Sequence, residues 1–501
     1  MAYVRTVKTA SGARAVQIVH GSRKGSRSIE HIGSAHSDDE YAALKAVAAR
    51  RLAAGQGELD LGIVGVLPVS SEPLPIQSAR MGHLWDGLEH VYSELGFDDV
   101  TGGDLVFRDL VLARIIEPTS KLDSLRVLEE VGVPAMSYPT MNRRLPVYAT
   151  DTWRQNLAAA CAKHAGLGPA TLVLYDVTTL YFETDKADGF REPGFSKERR
   201  LEPQITVGML TDATGFPLLI EAFAGNKSEK LTIVPTVLKF MAAHDLAEVT
   251  VVADAGMISA ENMRAIEREN LSCILGERMP LVPYQIAKWV ADHPDQAPTD
   301  ALTLVQHQPA NAKTSFRRSR VTYYRYSADR ARRSLRGINE QVGKAEKAVD
   351  GKVPVKRNRF VTLTGADKTV NRELEAKART LAGWKAYITN IDAPTPEFVI
   401  GAYHQLWRIE KSFRMSKTDL AARPIYHRTE DSIRAHLAVV MAALAVTRVI
   451  EERTGWSIKK FVTTTRRYRT IQIRVGDQTV TAADPLPDDL AAALSAIRSA
   501  H

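Results

Sequence analysis

The chain has 501 residues, of which 45% are hydrophobic and 25% charged, a composition that excludes a mostly disordered or fibrous protein and has room for about three domains. Cys161 and Cys273 are the only cysteines, too few for a disulfide framework or a Cys-rich zinc site. No apolar signal segment is read at the N-terminus, and the longest apolar run, Leu437 to Val446, is about half a membrane span, so a cytoplasmic protein without membrane partners is expected.

Sixty-six Lys and Arg face 58 Asp and Glu, a net charge of +8. The location of that excess says more than its size. Between Lys313 and Arg359 there are 15 basic and 4 acidic residues, a net of +11, which leaves −3 for the rest of the chain. Such a stripe fits a polyanionic partner, and it equally fits a solvated helix face.

In chain order, residues 1–60 read as a small β-hairpin or meander plus a helix. Ser37 and Glu40 give that helix a capping box, and it runs through Leu52. Gly, Pro and Ser mark residues 55–77 as a connector. Residues 78–165 read as a mostly α-helical region. Met81, Leu84, Leu88, Val91 and Leu95 recur at helical spacing. Further helices are predicted over 104–116 and 121–130, followed by a short one presenting Asn142, Arg143 and Arg144. Successive helices with a basic short one fit a DNA reader, and they fit plain helical packing as well. Residues 166–276 alternate strands and helices, which predicts a mixed α/β sheet covered on both faces. Residues 277–380 break that rhythm and carry the basic stripe as an insertion. The alternation resumes over 381–450, with one helix from Phe398 to about Ser416 and another within 427–450. A basic and helical tail completes the chain at 451–501.

Two predicted strands end in acids, Asp176 and Asp254, at the sheet edge where sites form in open α/β folds. A site for two cations needs a third acid, and Glu410 is the candidate. Tyr403, Glu410 and Lys417 are seven residues apart each way, so they share a helix face, and Arg414 joins at i+4 from Glu410. By itself that face also fits a solvated salt-bridge stripe. Lys197, Arg199 and Arg200 form a basic loop after the first acid.

The order Asp after a strand, Asp after a later strand and Glu on a helix resembles the DDE-type transposases of bacterial insertion sequences. Tyr403, Glu410 and Lys417 match the Tyr-x2-Arg-x3-Glu-x6-Lys pattern of the insertion-sequence-four superfamily, with Leu406 where that pattern has Arg. Tyr-Asp-Val-Thr-Thr at 175–179, Gly-Phe-Ser-Lys-Glu-Arg-Arg at 194–200, Ala-Asp-Ala-Gly at 253–256 and the local form around Glu410 resemble its IS-sixteen-thirty-four-like branch. The resemblance spans roughly residues 100–450. It implies an RNase H-like mixed sheet flanked by helices and interrupted by an insertion, beside a mostly α-helical N-terminal DNA-binding region.

It further implies Asp176, Asp254 and Glu410 as the catalytic metal ligands for two Mg²⁺ ions, with Mn²⁺ as a substitute. Hard carboxylate oxygens suit these cations, and the pair stabilises charge on both oxygens of a phosphodiester exchange. DNA contacts are expected from Tyr403, Arg414 and Lys417, from Lys197, Arg199 and Arg200, from Arg317, Arg318 and Arg320, and from Arg143 and Arg144. Arg408 or Arg414 would take the place of the Arg missing at 406, and Trp289 in the insertion is a candidate for stacking on a flipped base. The implied partners are the terminal inverted repeats of the element and a target duplex, bound by a homodimer at the nucleoid. Rival readings are a haloacid-dehalogenase-type phosphatase, a plain nuclease and an inactive DNA-binding derivative. The phosphatase class has a second Asp two residues after the first, where this chain has Thr178.

Overall fold

The computed structural model describes residues 2–499 except 10–11, 22–26, 54–74, 169–170, 184–185, 195–201, 229–230, 245, 247, 256–259, 311–317, 355–357, 365–366, 424, 426 and 476–477. Most of the expected connector, together with Lys197, Arg199, Arg200, Gly256 and Arg317, lies outside the described residues.

The first elements are β1 (Ala2–Lys8), β2 (Arg14–Gly21) and β3 (Arg27–Ala35), an antiparallel meander, followed by α1 (Asp38–Ala53). Val16, Ile18, Ile32 and Ala35 are buried together with Leu44 and Ala48 of α1. The Glu40 N–H donates to Ser37 Oγ at 3.2 Å, and the His36 N–H donates to the Glu40 carboxylate at 2.8 Å, as the capping signal predicts. The mostly α-helical character expected of the N-terminal region therefore begins only after this meander, whose Val and Ile residues suit a half-buried pleated surface.

β4 (Ile76–Arg80) precedes a helical run of α2 (Gly82–Glu94), α3 (Phe97–Thr101), α4 (Leu105–Ile116), α5 (Lys121–Val131), α6 (Tyr138–Ala149) and α7 (Asp151–His164). Ser120 caps α5 by accepting from the Asp123 N–H, and Gly132 ends it at φ +81°. Then come β5 (Thr171–Tyr181), β6 (Gln204–Thr211), β7 (Pro217–Ala224), α8 (Ile233–His244), β8 (Val249–Ala253), α9 (Ala260–Arg268) and β9 (Ser272–Glu277). The insertion supplies α10 (Tyr284–Asp292), β10 (Thr303–Gln308), β11 (Arg320–Tyr326), α11 (Ala328–Val349), β12 (Val361–Thr364), β13 (Asp367–Val370) and α12 (Arg372–Thr380). The chain continues through β14 (Trp384–Thr389), α13 (Pro396–His404), α14 (Leu406–Thr418), α15 (Glu430–Thr454), α16 (Ile458–Thr465), β15 (Thr470–Val475), β16 (Gln478–Ala483) and α17 (Asp488–Arg498).

These elements form two compact units. One holds Met1–Val91, Ile115–Tyr138 and Val449–His501. Within it β15 pairs antiparallel with both β16 and β4. The residues expected as a C-terminal tail therefore share a sheet with a strand that begins at residue 76. Arg466 of this unit reaches Glu117 at 3.3 Å and Glu130 at 3.4 Å.

The other unit holds Tyr92–Arg114 and Pro139–Arg448. Its sheet, among the described residues, has the order β10-β11-β14-β9-β8-β5-β6-β7. β5, β6 and β7 form an antiparallel meander, and β8 and β9 run parallel to β5. That is the RNase H-like arrangement. Every residue of β6 is buried, as expected for a strand covered on both faces. β10 and β11 extend the same sheet through antiparallel pairing with β14, so the insertion widens the core sheet as well as interrupting the chain. α11 turns Ile338, Val342 and Ala345 toward Phe360 and Ala382. α15 is long and apolar enough to cross a membrane, but 89% of its most apolar stretch is buried inside the protein.

Candidate active site

The parallel ladder between β5 and β8 sets the geometry. Thr171 pairs with Val249 and Leu174 with Val252, an offset of 78 residues, and Asp176 and Asp254 are separated by the same 78. In a parallel pair, partners in register project from the same face, on strands about 4.8 Å apart. Continued two residues past the last pair, Leu174 and Val252, this register brings Asp176 and Asp254 to the same row. Ala253 pairs with Leu275 of β9, which carries the row on to Gly276, and Gly276 pairs with Tyr387 of β14. Extended past the ends of these ladders, one row runs by Asp176, Asp254, Gly276 and Tyr387.

Asp254 follows β8, as predicted. Asp176 does not end its strand, and that expectation is corrected. β5 runs on to Tyr181, and Asp176 sits opposite Met209 of β6. The following Val177–Tyr181 segment is rich in β-branched and aromatic residues, so it stays extended against β6. The β5–β8 ladder stops at Leu174, which leaves Asp176 just beyond its end.

The predicted single helix is two. α13 and α14 meet at Gln405, where the Gln405 N–H donates to Ala402 O at 3.1 Å and the Arg408 N–H to Gln405 O at 2.8 Å. These i to i−3 bonds tighten the turn. Thr395 caps α13, with Pro396 in its first turn. α14 packs on β5 with Ile409, Ser412, Phe413 and Ser416 buried, and Ser412 Oγ donates to Gly215 O at 2.6 Å. The Tyr403 hydroxyl donates to Asp254 Oδ1. The Lys417 ammonium donates to Thr178 Oγ1, two residues past Asp176 on the same face of β5. The helix pair is thereby fastened at Tyr403 beside one acid and at Lys417 beside the other. Glu410, midway between, is exposed, as is Arg414.

Two residues that sequence reasoning missed complete this face. A Cβ at Gly276 would stand 2.6 Å from the Tyr403 hydroxyl, so the gap at 276 is what admits the phenol. Lys385 Nζ lies 4.2 Å from the centre of the Tyr403 ring, and the Tyr387 ring meets Tyr403 edge-on at 5.0 Å. Neither residue carries a signal in its local sequence. Burial, reinforced by the bond to Asp254, pushes the Tyr403 pKa up, so the phenol stays a donor. Burial pushes the Lys385 pKa down, against the attraction of Asp254 and Glu410. His404 is likewise lowered, by burial first and by Lys385 next.

The Transposase DDE domain family matches residues 167–446, more than half of the chain. The chain belongs to this family. No curated protein matches it. Among solved structures it is similar to the piggyBac transposase in a synaptic complex with hairpin DNA, at 10% identity and a TM-score of 0.38, over 75% of this chain and 70% of that one.

Within the DDE domain, the chemistry of Asp176, Asp254 and Glu410 fits a hard divalent cation, because all three offer carboxylate oxygens. Among the described residues, no three His, Cys, Asp or Glu side chains are gathered closely enough to hold an ion. The expected basic residues go to separate places. Arg408 donates to Ala213 O at 2.9 Å, so it serves the β6–β7 turn, and Leu406 is buried. Arg318 donates to Asn270 Oδ1 at 2.7 Å, and Arg320 lies 4.0 Å from the buried Glu267. Arg144 Nε donates to Asp104 at 2.9 Å, beside a 3.0 Å bond from the Tyr148 hydroxyl to the same carboxylate. Arg143 is exposed. Trp289 stacks on His293 at 4.6 Å. Beyond the end of β5, a cleft of 330 Å³ is lined by Phe182, Glu183, Lys186, Arg191, Ile425, His427 and Arg428.

Proposed function

We propose that this chain is an insertion-sequence transposase of the insertion-sequence-four superfamily, in its IS-sixteen-thirty-four-like branch. It binds the two ends of its element as a homodimer at the nucleoid, cleaves the DNA and joins the 3′ ends to target DNA. The observation that carries the reading is the β5–β8 register, which ends two residues before both Asp176 and Asp254, with the Tyr403–Lys417 helix pair fastened beside that end.

Asp176, Asp254 and Glu410 are the proposed ligands of two Mg²⁺ or Mn²⁺ ions. When bound, such ions stabilise charge on the attacking and leaving oxygens of phosphoryl transfer. Tyr403 fixes the orientation of Asp254 through its hydroxyl and, by staying protonated, leaves the carboxylate its charge. The two strands give their acids rigid placement. Lys417 and Arg414 supply cations for the phosphates of the cleaved strand. The cleft past β5, where Lys186 and Arg428 stand with Glu183, is a candidate path for the backbone of the DNA flanking the cut.

The test is to mix the purified chain and Mg²⁺ with DNA carrying the flanks of its own gene, beside an Asp254→Ala variant. Cutting at both element ends by the unaltered chain alone is the expected result. Binding without cutting would favour the inactive DNA-binding derivative. Cutting unaffected by Asp254→Ala would remove that residue from the site.

A further inference from the structure

Lys385 is a cation on the acid-bearing face that the reaction outlined above does not use. It stands two residues before Tyr387 on β14, and alternate strand residues share a face, so it leaves the sheet on the side of Asp176 and Asp254. Its Nζ rests on the Tyr403 ring at 4.2 Å and lies 5.8 Å from the centre of the Tyr387 ring. Asp254 and Glu410 are its electrostatic partners. Tyr403 is at once the platform for this ammonium and the donor to Asp254. Gly276 keeps the platform in place by leaving room for the phenol. The lysine is thus tied to the element that orients one acid and lies in the field of another.

Carboxylates that face one site repel each other, and a nearby positive charge relieves that repulsion. An ammonium and a divalent cation relieve it in the same way, so each weakens the attraction the acids hold for the other. We propose that Lys385 is a positioning residue that serves as the resident counter-charge of the site. It steadies Asp254 and Glu410 before a divalent ion binds, and it lowers the affinity of the DNA-free protein for that ion. The inference rests on the reading of Asp254 and Glu410 as cation ligands.

The experiment titrates the full chain with Mn²⁺ in the absence of DNA, reading free ion by electron paramagnetic resonance. Wild type is compared with Lys385→Met, which keeps the length and loses the charge, with Lys385→Arg and with Asp254→Ala. Removing one positive charge from the field of two carboxylates in a partly solvated site should tighten Mn²⁺ binding about tenfold. Lys385→Arg should bind as wild type does, a rescue that a purely space-filling role would not produce. Added Mg²⁺ should also raise the melting temperature of Lys385→Met more than that of wild type. If Lys385→Met fails to fold, Lys385→Gln carries the same comparison. Equal or weaker Mn²⁺ binding by the neutral variant, with Asp254→Ala impaired, overturns the inference alone. Mn²⁺ binding unchanged by Asp254→Ala overturns the metal-ligand reading and this inference together.

Discussion

The end of the β5–β8 ladder and the basic insertion are both rich in charge, and they use it in opposite ways. At the ladder end, Asp176, Asp254, Tyr403, Thr178 and Lys417 come from four elements and meet on one face. In and beside the insertion, Arg318 turns to Asn270 and Ser272, and Arg320 approaches the buried Glu267. Charge density along the chain was high in the second region, yet two of its arginines are held by the fold. Spacing along the chain was the better guide, because register and helical pitch carry over into space while net charge does not.

The sharpest way to break the comparison is to remove the acids. Asp176→Ala, Asp254→Ala and Glu410→Ala should each abolish strand cleavage in a gel assay while DNA binding persists. Strong residual cleavage by any one would take that residue out of the site. Next in size is the support behind Asp254. Tyr403→Phe removes its donor and should cost about 10–100-fold in cleavage, as losses behind a metal ligand commonly do. Gly276→Ala should displace the same phenol and reach a similar deficit. Because both act through one bond, the double variant should be no worse than the singles. Additive losses would separate them.

The insertion should respond in stability instead. Arg320→Gln strips the buried Glu267 of its nearby cation and should cost roughly 1–3 kcal/mol in urea unfolding. An unchanged midpoint would return Arg320 to the pool of DNA contacts. Arg143 and Arg144 sharpen the contrast within one helix. Neutralising the exposed Arg143 should reduce the slope of log affinity against log salt by about 0.9 if it meets a phosphate. The same change at Arg144 should lower stability, because the buried Asp104 carboxylate loses its charged partner.

The smallest effect is a pH dependence. Burial raises the pKa of Glu277 on β9 above the usual carboxylate range. A carboxyl whose folded pKa is raised contributes stability below its unfolded pKa, and that contribution is lost as pH rises through the folded value. Glu277→Gln stays neutral throughout. Its advantage over wild type in melting temperature should therefore be absent below about pH 4 and grow toward neutrality. A constant difference across that range would refute the assignment.

Much of the site was legible in the chain. The seven-residue spacing of Tyr403, Glu410 and Lys417 placed two of the three beside the acid-bearing strands, even though α13 and α14 are separated at Gln405. Asp254 stood where its strand was expected to stop. Asp176 did not, because a stretch such as Val177–Tyr181 keeps pairing as long as a neighbour such as β6 is there to receive it, and the neighbour is not visible locally. The N-terminal meander was anticipated from its short β-type runs, whereas the pairing of β4 with β15 was not, since a strand is completed by its partners.

By itself the sequence determined the local periods: the helices, with the cap at Ser37, the buried strands around Asp176 and Asp254, and the order of the three acids. These follow from side-chain pattern and backbone propensity, which act within a few residues. Only the tertiary structure decided that β4 pairs with β15, that β10 and β11 widen the core sheet, that Gly276 opens a place for Tyr403, and that Lys385 rests on the Tyr403 ring. Each of those depends on strand register between segments far apart in the chain. A shift of one residue in that register would turn the same side chains to the opposite face.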